Sequence, residues 1–199
     1  FELTYANKQR FGNNILNSSL KGKSVTAVHA SKDGKLFAGT LRDGIYIYDA
    51  ETNTMAKAIS SDKVNDRYEN LVSGICIDEK GLLWVGSDNG MTVYRLDGNR
   101  LYRVHSWPTL YVLCMRADSD SHIWAGTGMN LMRFGSDGSS ETIDLGIPDG
   151  AYTFVAGIDF LPGGDLIVST FGYGLYHIDH KTLKARHIDV SQTDWADCI

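Results

Sequence analysis

Residues 73–94 read SGICIDEKGLLWVGSDNGMTVY. An apolar run leads into a polar turn, Asp78 to Gly81, and the next apolar run carries Trp84 two places before Gly86. A second polar turn and a third apolar run follow. Short apolar runs separated by glycine and aspartate predict β-strands joined by tight turns. The apolar residues show no helical period, so the stretch predicts a small antiparallel sheet.

The same pattern occurs four times along the chain. Each copy ends its second apolar run with a small residue, and these residues are Gly39, Gly86, Gly126 and Ser169. They are 47, 40 and 43 residues apart, which is the repeat length of β-propeller blades. We therefore predict an all-β fold, a β-propeller of four antiparallel blades with about four strands each.

The repeat also predicts how the chain is divided. The expected blades are residues 24–60, 71–105, 110–145 and 152–190. Residues 1–23 and 191–199 are expected to be pieces of neighbouring blades, and the whole chain to be part of a larger propeller. The strands predicted for the first blade are Ser24 to Ala30, Lys35 to Thr40, Ile45 to Asp49 and Met55 to Ile59.

Two positions of the repeat have a packing role. The small residue is expected near the narrow propeller axis, where blades converge and a side chain would clash. Two places earlier, a large residue would fill the wider gap between blades, and the four residues there are Phe37, Trp84, Trp124 and Ile167. The third copy departs from the pattern because Ser121 and His122 replace its turn glycine. The fourth departs at Ser169 and lacks the aromatic residue.

Composition excludes several classes of protein. The 199 residues carry a formal net charge of −5, which disfavours binding to the phosphate backbone of nucleic acids. No stretch approaches the ~18–20 apolar residues of a membrane span, so direct membrane insertion of this segment is not expected. The cysteines Cys76, Cys114 and Cys198 have no C-x-x-C spacing and an odd count, which predicts buried free thiols.

The order of motifs within each copy resembles a known family. Between about residues 24 and 190, each copy begins with an inner strand, which is followed by the motif Asp-x-x-Gly and an aromatic residue. The motif x-Gly-Thr or Gly-Ser comes next, and Gly-(Ile/Met/Leu)-x-x-Tyr ends the pattern. This pattern resembles the two-component regulator propeller repeat of the periplasmic sensor region of Bacteroides-type hybrid histidine kinases. The resemblance implies a periplasmic signal-transduction module without catalysis of its own. The partners it implies are the remaining blades and kinase region of the parent chain, and a homodimer.

Candidate binding residues lie in two sets of loops that a propeller gathers on one face around its axis. These are the loops between second and third strands and the segments between blades. Exposed aromatic rings beside polar side chains suit an oligosaccharide, because a ring covers the apolar face of a sugar. The competing interpretation is that these rings pack under the loops as core. The candidate ligand-binding residues are Arg42, Asp43, Arg67, Tyr68, Asp88, Asn89, Trp107, Tyr111, Asn130, Tyr152, Phe171 and Tyr173.

No catalytic, metal or cofactor site is expected. The motifs Ser18 to Lys21 and Ser87 to Asn89 match β-lactamase signatures only in part, and the first lacks the helix it needs. The segment Asp118 to His122 begins like a calcium loop but lacks its later glycine and acid, which favours a hairpin turn. His177 and His180 are expected to diverge across a strand end, so they do not predict a metal pair.

Two alternatives to a sensor remain open from the sequence. Propellers of similar repeat style include streptogramin-type lyases, and an enzyme of that kind would use His105 near Asp62 and Asp66 on the loop face. The chain could also be a scaffold whose surface binds another protein.

Overall fold

The computed structural model of the chain describes residues 15–60, 71–88, 90–128 and 130–189. One short helix, α1 (Ile15–Ser19), precedes four sheets in the described part of the chain. The expectation that the segment from Ser18 to Lys21 has no helix is therefore wrong for its first two residues. The first sheet contains β1 (Val25–Ala30), β2 (Lys35–Thr40), β3 (Ile45–Asp49) and β4 (Thr54–Lys57). The second contains β5 (Ile59–Ser60), β6 (Val72–Ile77), β7 (Leu83–Ser87), β8 (Gly90–Asp97) and β9 (Arg100–Pro108). The third contains β10 (Val112–Ala117), β11 (Ile123–Thr127), β12 (Leu131–Phe134) and β13 (Ser140–Ile143). The fourth contains β14 (Val155–Phe160), β15 (Leu166–Thr170), β16 (Gly174–Ile178) and β17 (Ala185–Ile188).

The four sheets are consecutive blades of a β-propeller. Within each blade four strands follow one another from the innermost outward as an antiparallel meander, and β5 is added at the outer edge of the second blade. The innermost strands contact one another in order, β1 with β6, β6 with β10, and β10 with β14. The predicted all-β propeller with four antiparallel blades is confirmed.

The outer strands differ from the prediction in two places. The first blade ends at Lys57, and Ile59–Ser60 pairs in parallel with β9 as a fifth strand of the second blade. The Ile59 N–H donates to the Asn99 carbonyl, 2.8 Å away, which satisfies part of an otherwise unpaired strand edge. The second blade continues past residue 105 to Pro108, because β9 pairs with β8 over the full length of that strand.

The core lies between the blades rather than within any one of them. Three apolar clusters fill the gaps between consecutive blades. In the second gap, for example, Trp84 and Val93 of one blade pack with Val112 and Phe134 of the next. Because both faces of a blade are covered, every residue of β7 and β11 is buried. This explains the continuous apolar runs in the sequence.

The small residues of the repeat lie where blades meet most closely. A Cβ atom at Gly86 would be 2.5 Å from Val112 Cγ1, and one at Gly126 would be 2.7 Å from Val155 Cγ1. The neighbouring atom belongs in each case to the innermost strand of the following blade. The predicted steric role of these glycines is therefore confirmed, because any larger residue would push two blades apart.

The aspartate and the tryptophan of the repeat form a buried pair. Asp78 accepts hydrogen bonds from the Trp84 indole N–H and from the backbone N–H groups of Lys80 and Leu82, each at 2.9 Å. Asp118 makes the same three bonds in the third blade, including one from Trp124 Nε1 at 2.9 Å. The segment from Asp118 is therefore a hairpin turn, as predicted.

Candidate functional site

The segments that lead into the innermost strands lie against the loops between second and third strands. The Gly128 N–H donates to the Tyr111 carbonyl at 2.9 Å, and the Phe171 N–H donates to the Phe154 carbonyl at 2.9 Å. The Leu41 N–H makes the equivalent bond to Ser24. These backbone bonds place both sets of loops at one end of the blades, which we call the loop face.

A pocket of about 450 Å³ opens on the loop face between the third and fourth blades. We call it the aromatic pocket, and its lining residues are Tyr111, Leu113, Gly128, Ala151, Tyr152, Thr153 and Phe154. Tyr111 and Tyr152 are 51% and 83% exposed, although both side chains are large and partly apolar. Rings this exposed contribute little to the core, so they are available to a ligand.

Phe171 supports the aromatic pocket from the neighbouring loop. Its ring stacks on Phe154 at 4.9 Å between centroids and meets Tyr152 edge to face at 6.0 Å. The Thr153 hydroxyl donates a 2.9 Å hydrogen bond to the Phe171 carbonyl, which ties the two segments together. Ring contacts of this geometry stabilise one arrangement of the side chains. The pocket is therefore held in shape before any ligand binds.

The chemistry of the aromatic pocket favours a neutral ligand. Among the described residues that line it no side chain is charged, and the polar groups there are the two tyrosine hydroxyls, the Thr153 hydroxyl and backbone amides. Flat rings with hydroxyl groups at their edges can cover an apolar ring face and bond to its substituents. A sugar ring has both features.

The structure brings three of the twelve predicted binding residues together. Tyr111 and Tyr152 line the aromatic pocket and Phe171 contacts it, whereas none of the predicted polar residues that the structure describes lines it. Asp43 instead lies 3.2 Å from Lys23 in an ion pair. The remaining described residues, which do not line this pocket, are Arg42, Asp88, Asn130 and Tyr173. Arg67, Tyr68 and Asn89 lie outside the described residues.

The prediction that Trp107 lies on a loop is wrong. It belongs to β9, where it pairs with Met91, because β9 is longer than the repeat suggests. Its ring stacks on Trp84 at 5.6 Å and meets Phe134 edge to face at 5.1 Å. Trp107 therefore belongs to the packing between the second and third blades, which is the competing interpretation given above for the loop aromatics.

Phe154 is a residue of the pocket that the sequence analysis missed. It immediately precedes β14, whereas the candidate residues of this segment stopped at Tyr152, two places earlier. Leu113 was missed for a related reason, since it lies within an inner strand yet faces the pocket.

The catalytic arrangement considered for an enzyme is not formed by the described residues. His105 lies on β9, where its ring is 3.2 Å from the position of a Cβ atom on Gly138, in the turn between β12 and β13. That turn is at the end of the blades opposite the loop face. Asp62 and Asp66 lie outside the described residues.

The expected divergence of His177 and His180 is also wrong. His177 Nε2 is 3.0 Å from one oxygen of Asp165, and His180 Nδ1 is 2.8 Å from the other. Asp165 reaches both because it precedes β15, beside the end of β16. Hydrogen bonds from the His180 ring and backbone N–H lower the pKa of Asp165. No group of three or more His, Cys, Asp or Glu in the described part of the chain has the geometry to hold a metal ion.

The two described cysteines have no nucleophilic character. Cys76 and Cys114 are free thiols, and Cys76 is buried. Burial raises the pKa of Cys114 to about 11 and raises that of Cys76 further. Both thiols therefore stay protonated at neutral pH, where only a thiolate would react. Cys198 lies outside the described residues.

Comparison with known proteins agrees with the repeat. The family model "Two component regulator propeller" matches residues 69–89, the copy quoted at the start. The resemblance to two-component regulator propellers is thus confirmed. No curated protein matches the sequence. The described helix is far too short to cross a membrane, and the described residues contain no longer apolar helix that could.

Three solved structures have the same fold. The extracellular domain of the hybrid two component system BT4673 from B. thetaiotaomicron is 20% identical over 88% of this chain, with a TM-score of 0.67. That of BT3049 from the same organism is 18% identical over 84%, with a TM-score of 0.66. Virginiamycin B lyase from Staphylococcus aureus is 15% identical over 87%, with a TM-score of 0.69. The chain spans 24%, 23% and 58% of these three proteins.

Proposed function

We propose that this chain is a ligand-sensing part of the extracytoplasmic propeller of a hybrid two-component histidine kinase. Two findings support this role, the match to the regulator propeller repeat and the likeness to extracellular domains of two such systems. The chain then carries out no reaction itself. It binds a ligand more tightly in one arrangement of the parent protein than in another, and so shifts the population of kinase states.

The aromatic pocket is the site that we assign to the ligand, and an oligosaccharide is the ligand class. The observation that carries this assignment is the exposure of Tyr152 and Tyr111 around a cavity whose described lining residues carry no charge. In this pocket Tyr152 would stack on the apolar face of a sugar ring, while the tyrosine and Thr153 hydroxyls would bond to its hydroxyl groups. The segment between the third and fourth blades positions Tyr152 and Thr153, and the segment that leads into β10 positions Tyr111.

The test is a thermal-shift screen of this chain against neutral oligosaccharides from plant and host polysaccharides, followed by calorimetry on each hit. A ligand that binds the folded state raises the melting temperature in a saturable way. Tyr152→Ala is expected to weaken binding of a hit by about tenfold, because one stacked ring contributes on the order of 1 kcal/mol or more. Tyr102→Ala is the matched control, because Tyr102 lies on β9 beside Arg95 and away from the pocket.

Product analysis separates this proposal from an enzymatic role. The oligosaccharide should be recovered intact after prolonged incubation, as judged by mass spectrometry. Cleavage of the oligosaccharide that is lost in His105→Ala would show that the chain is a lyase-like enzyme and not a sensor. Binding that survives Tyr152→Ala unchanged would place the ligand elsewhere on the chain.

A further inference from the structure

A second and larger pocket lies at the other end of the blades. It has a volume of about 620 Å³ and opens beside the hairpin turns that follow β1 and β6. We call it the turn-end pocket. The third blade reaches it through Arg116, near the end of β10, whereas Tyr111 precedes the start of the same strand. Five residues of extended strand separate the two by roughly 16 Å, so the two pockets are distinct.

The carboxylates of the turn-end pocket are already occupied. Glu79 forms an ion pair with Lys32 at 2.7 Å, and Asp33 forms one with Lys35. Asp78 is buried and accepts the Trp84 indole N–H together with two backbone N–H groups. These contacts neutralise both lysines and satisfy the oxygens of Asp78. Each of the three carboxylates thus already has a partner within the chain.

Two further residues of the pocket, Arg116 and His29, carry or can acquire a positive charge and are available to a ligand. Arg116 has no hydrogen bond or ion pair with any residue that the structure describes, although it lines the pocket. His29 lines the same pocket from β1 and is about half buried. Burial and the nearby charge of Arg116 lower the pKa of His29. The imidazole is therefore largely neutral while no anion is bound, and a bound anion would favour its protonation.

The repeat places these two residues at one position. The fifth residues of the innermost strands are His29, Cys76, Arg116 and Asp159. Each pairs with the large residue of the second strand, Arg116 with Trp124 for example. Three of these four residues, His29, Arg116 and Asp159, are polar and interrupt strands that are otherwise mostly apolar or small. Asp159 does not line the pocket and forms no ion pair with Arg116.

We propose that the turn-end pocket binds a small organic carboxylate. The Arg116 guanidinium would take the carboxylate in a bidentate pair, and His29 would donate a further hydrogen bond. The apolar part of the ligand would lie against Phe37, Ile77 and Leu96, which line the same cavity. This site goes beyond the function proposed above, because it takes a charged ligand at the opposite end of the blades.

Binding at this site is expected to depend on pH through His29. The charged groups that face it are Lys32, Asp33 and Lys35 from its own hairpin, Asp78 and Glu79 from the second blade, and Arg116 from the third. The Cys76 thiol stays neutral. A ligand carboxylate raises the pKa of His29, so binding takes up a proton. Affinity should therefore rise as the pH is lowered from 8 to 6.

Calorimetry of the full chain with benzoate, hexanoate and glucuronate tests the proposal. The titrations use the Tyr152→Ala background, which weakens sugar binding at the aromatic pocket and leaves the turn-end pocket unchanged. At least one of these carboxylates should bind saturably in that background, whereas benzamide, hexanamide and glucose, the neutral controls, should not. Arg116→Gln should weaken that binding by about tenfold or more, because it removes a charge-assisted bidentate pair. Arg42→Gln is the matched control, since Arg42 is exposed on a loop-face turn. His29→Gln should remove most of the pH dependence.

The same measurements can overturn the proposal. It fails if none of the three carboxylates binds saturably, if the neutral controls bind as tightly, or if Arg116→Gln binds like the wild type. Circular dichroism and the melting temperature of each variant confirm that it is folded. Because Tyr152→Ala leaves this pocket untouched, loss of the oligosaccharide response and loss of carboxylate binding are separate results.

Discussion

Ser121 holds a backbone conformation that the equivalent turns give to glycine. Its φ is 64°, and the residues at the same place in the first two blades, Gly34 and Gly81, have φ values of 82° and 77°. Each of these residues donates its N–H to the carbonyl three places earlier, so the three turns have one geometry. The left-handed region is unfavourable for a residue with a Cβ atom. The third blade therefore carries local strain that the first two avoid.

Exchanging the residues of these turns should change stability in opposite directions. Ser121→Gly is expected to raise the free energy of unfolding by about 0.5–1 kcal/mol, since glycine adopts positive φ without a steric penalty. Gly81→Ser should lower it by about 1 kcal/mol, and no atom within 4 Å of the added Cβ would contribute a clash. Urea denaturation of both variants measures the two effects. A loss of stability in Ser121→Gly would show that the Ser121 side chain contributes more than its backbone costs.

At the scale of the hairpin, the turn residue and the large residue of the second strand depend on each other. Where the second strand has Trp84 or Trp124, the turn begins with Asp78 or Asp118, whose carboxylate accepts the indole N–H. The first blade has Phe37 and, at the start of its turn, a serine whose hydroxyl accepts the Lys35 N–H. Phenylalanine has no N–H to satisfy, so an aspartate is not required there.

This dependence can be tested by moving the pair from the first blade into the second. Asp78→Ser alone should lower the free energy of unfolding by about 2–3 kcal/mol, because the buried Trp84 N–H loses its acceptor. Adding Trp84→Phe should cost less in the Asp78→Ser background than in the wild type, since the unsatisfied donor is removed as well. A double-mutant cycle by urea denaturation measures the coupling. Strictly additive losses would contradict the dependence.

The hairpins are also the part of the fold that the sequence predicts best. The bounds of β2 and β3 agree with the prediction, because turn residues and apolar runs are local signals. The parallel pairing of Ile59–Ser60 with β9 was not predictable in this way, since it depends on an edge that is distant in sequence. The length of β9 was missed because the repeat suggests a shorter outer strand, and with it the position of Trp107 was missed.

At the scale of the whole molecule, the two ends of the blades present different chemistry. The loop face has exposed aromatic rings without charged neighbours in the pocket, and the turn end has Arg116 and His29. The repeat predicted which end of each strand carries the loops, and so predicted Tyr111, Tyr152 and Phe171. It did not predict that Arg42, Asp43 and Asp88 lie outside the aromatic pocket. The repeat does not show how far apart the loops of different blades lie, so it does not show which loops share a pocket. The polar residues at the fifth place of the innermost strands, His29 and Arg116, indicate a site at the turn end, and the sequence analysis did not consider them.

The two ends are joined by contacts between blades, and Gly86 is at one of the closest of them. Gly86→Ala is expected to lower the free energy of unfolding by about 2 kcal/mol, because the new Cβ would overlap Val112 Cγ1 of the third blade. Val112→Ala removes the overlapping methyl group, so the double variant should lose clearly less than the two single losses added together. Gly128→Ala is the control, since its Cβ would meet Tyr111 at an ordinary 3.5 Å.

Amide hydrogen exchange should quicken in β7 and β10 together in Gly86→Ala, as expected for a contact shared by neighbouring repeats. Quickening confined to β7 would mean that the glycine serves only its own blade.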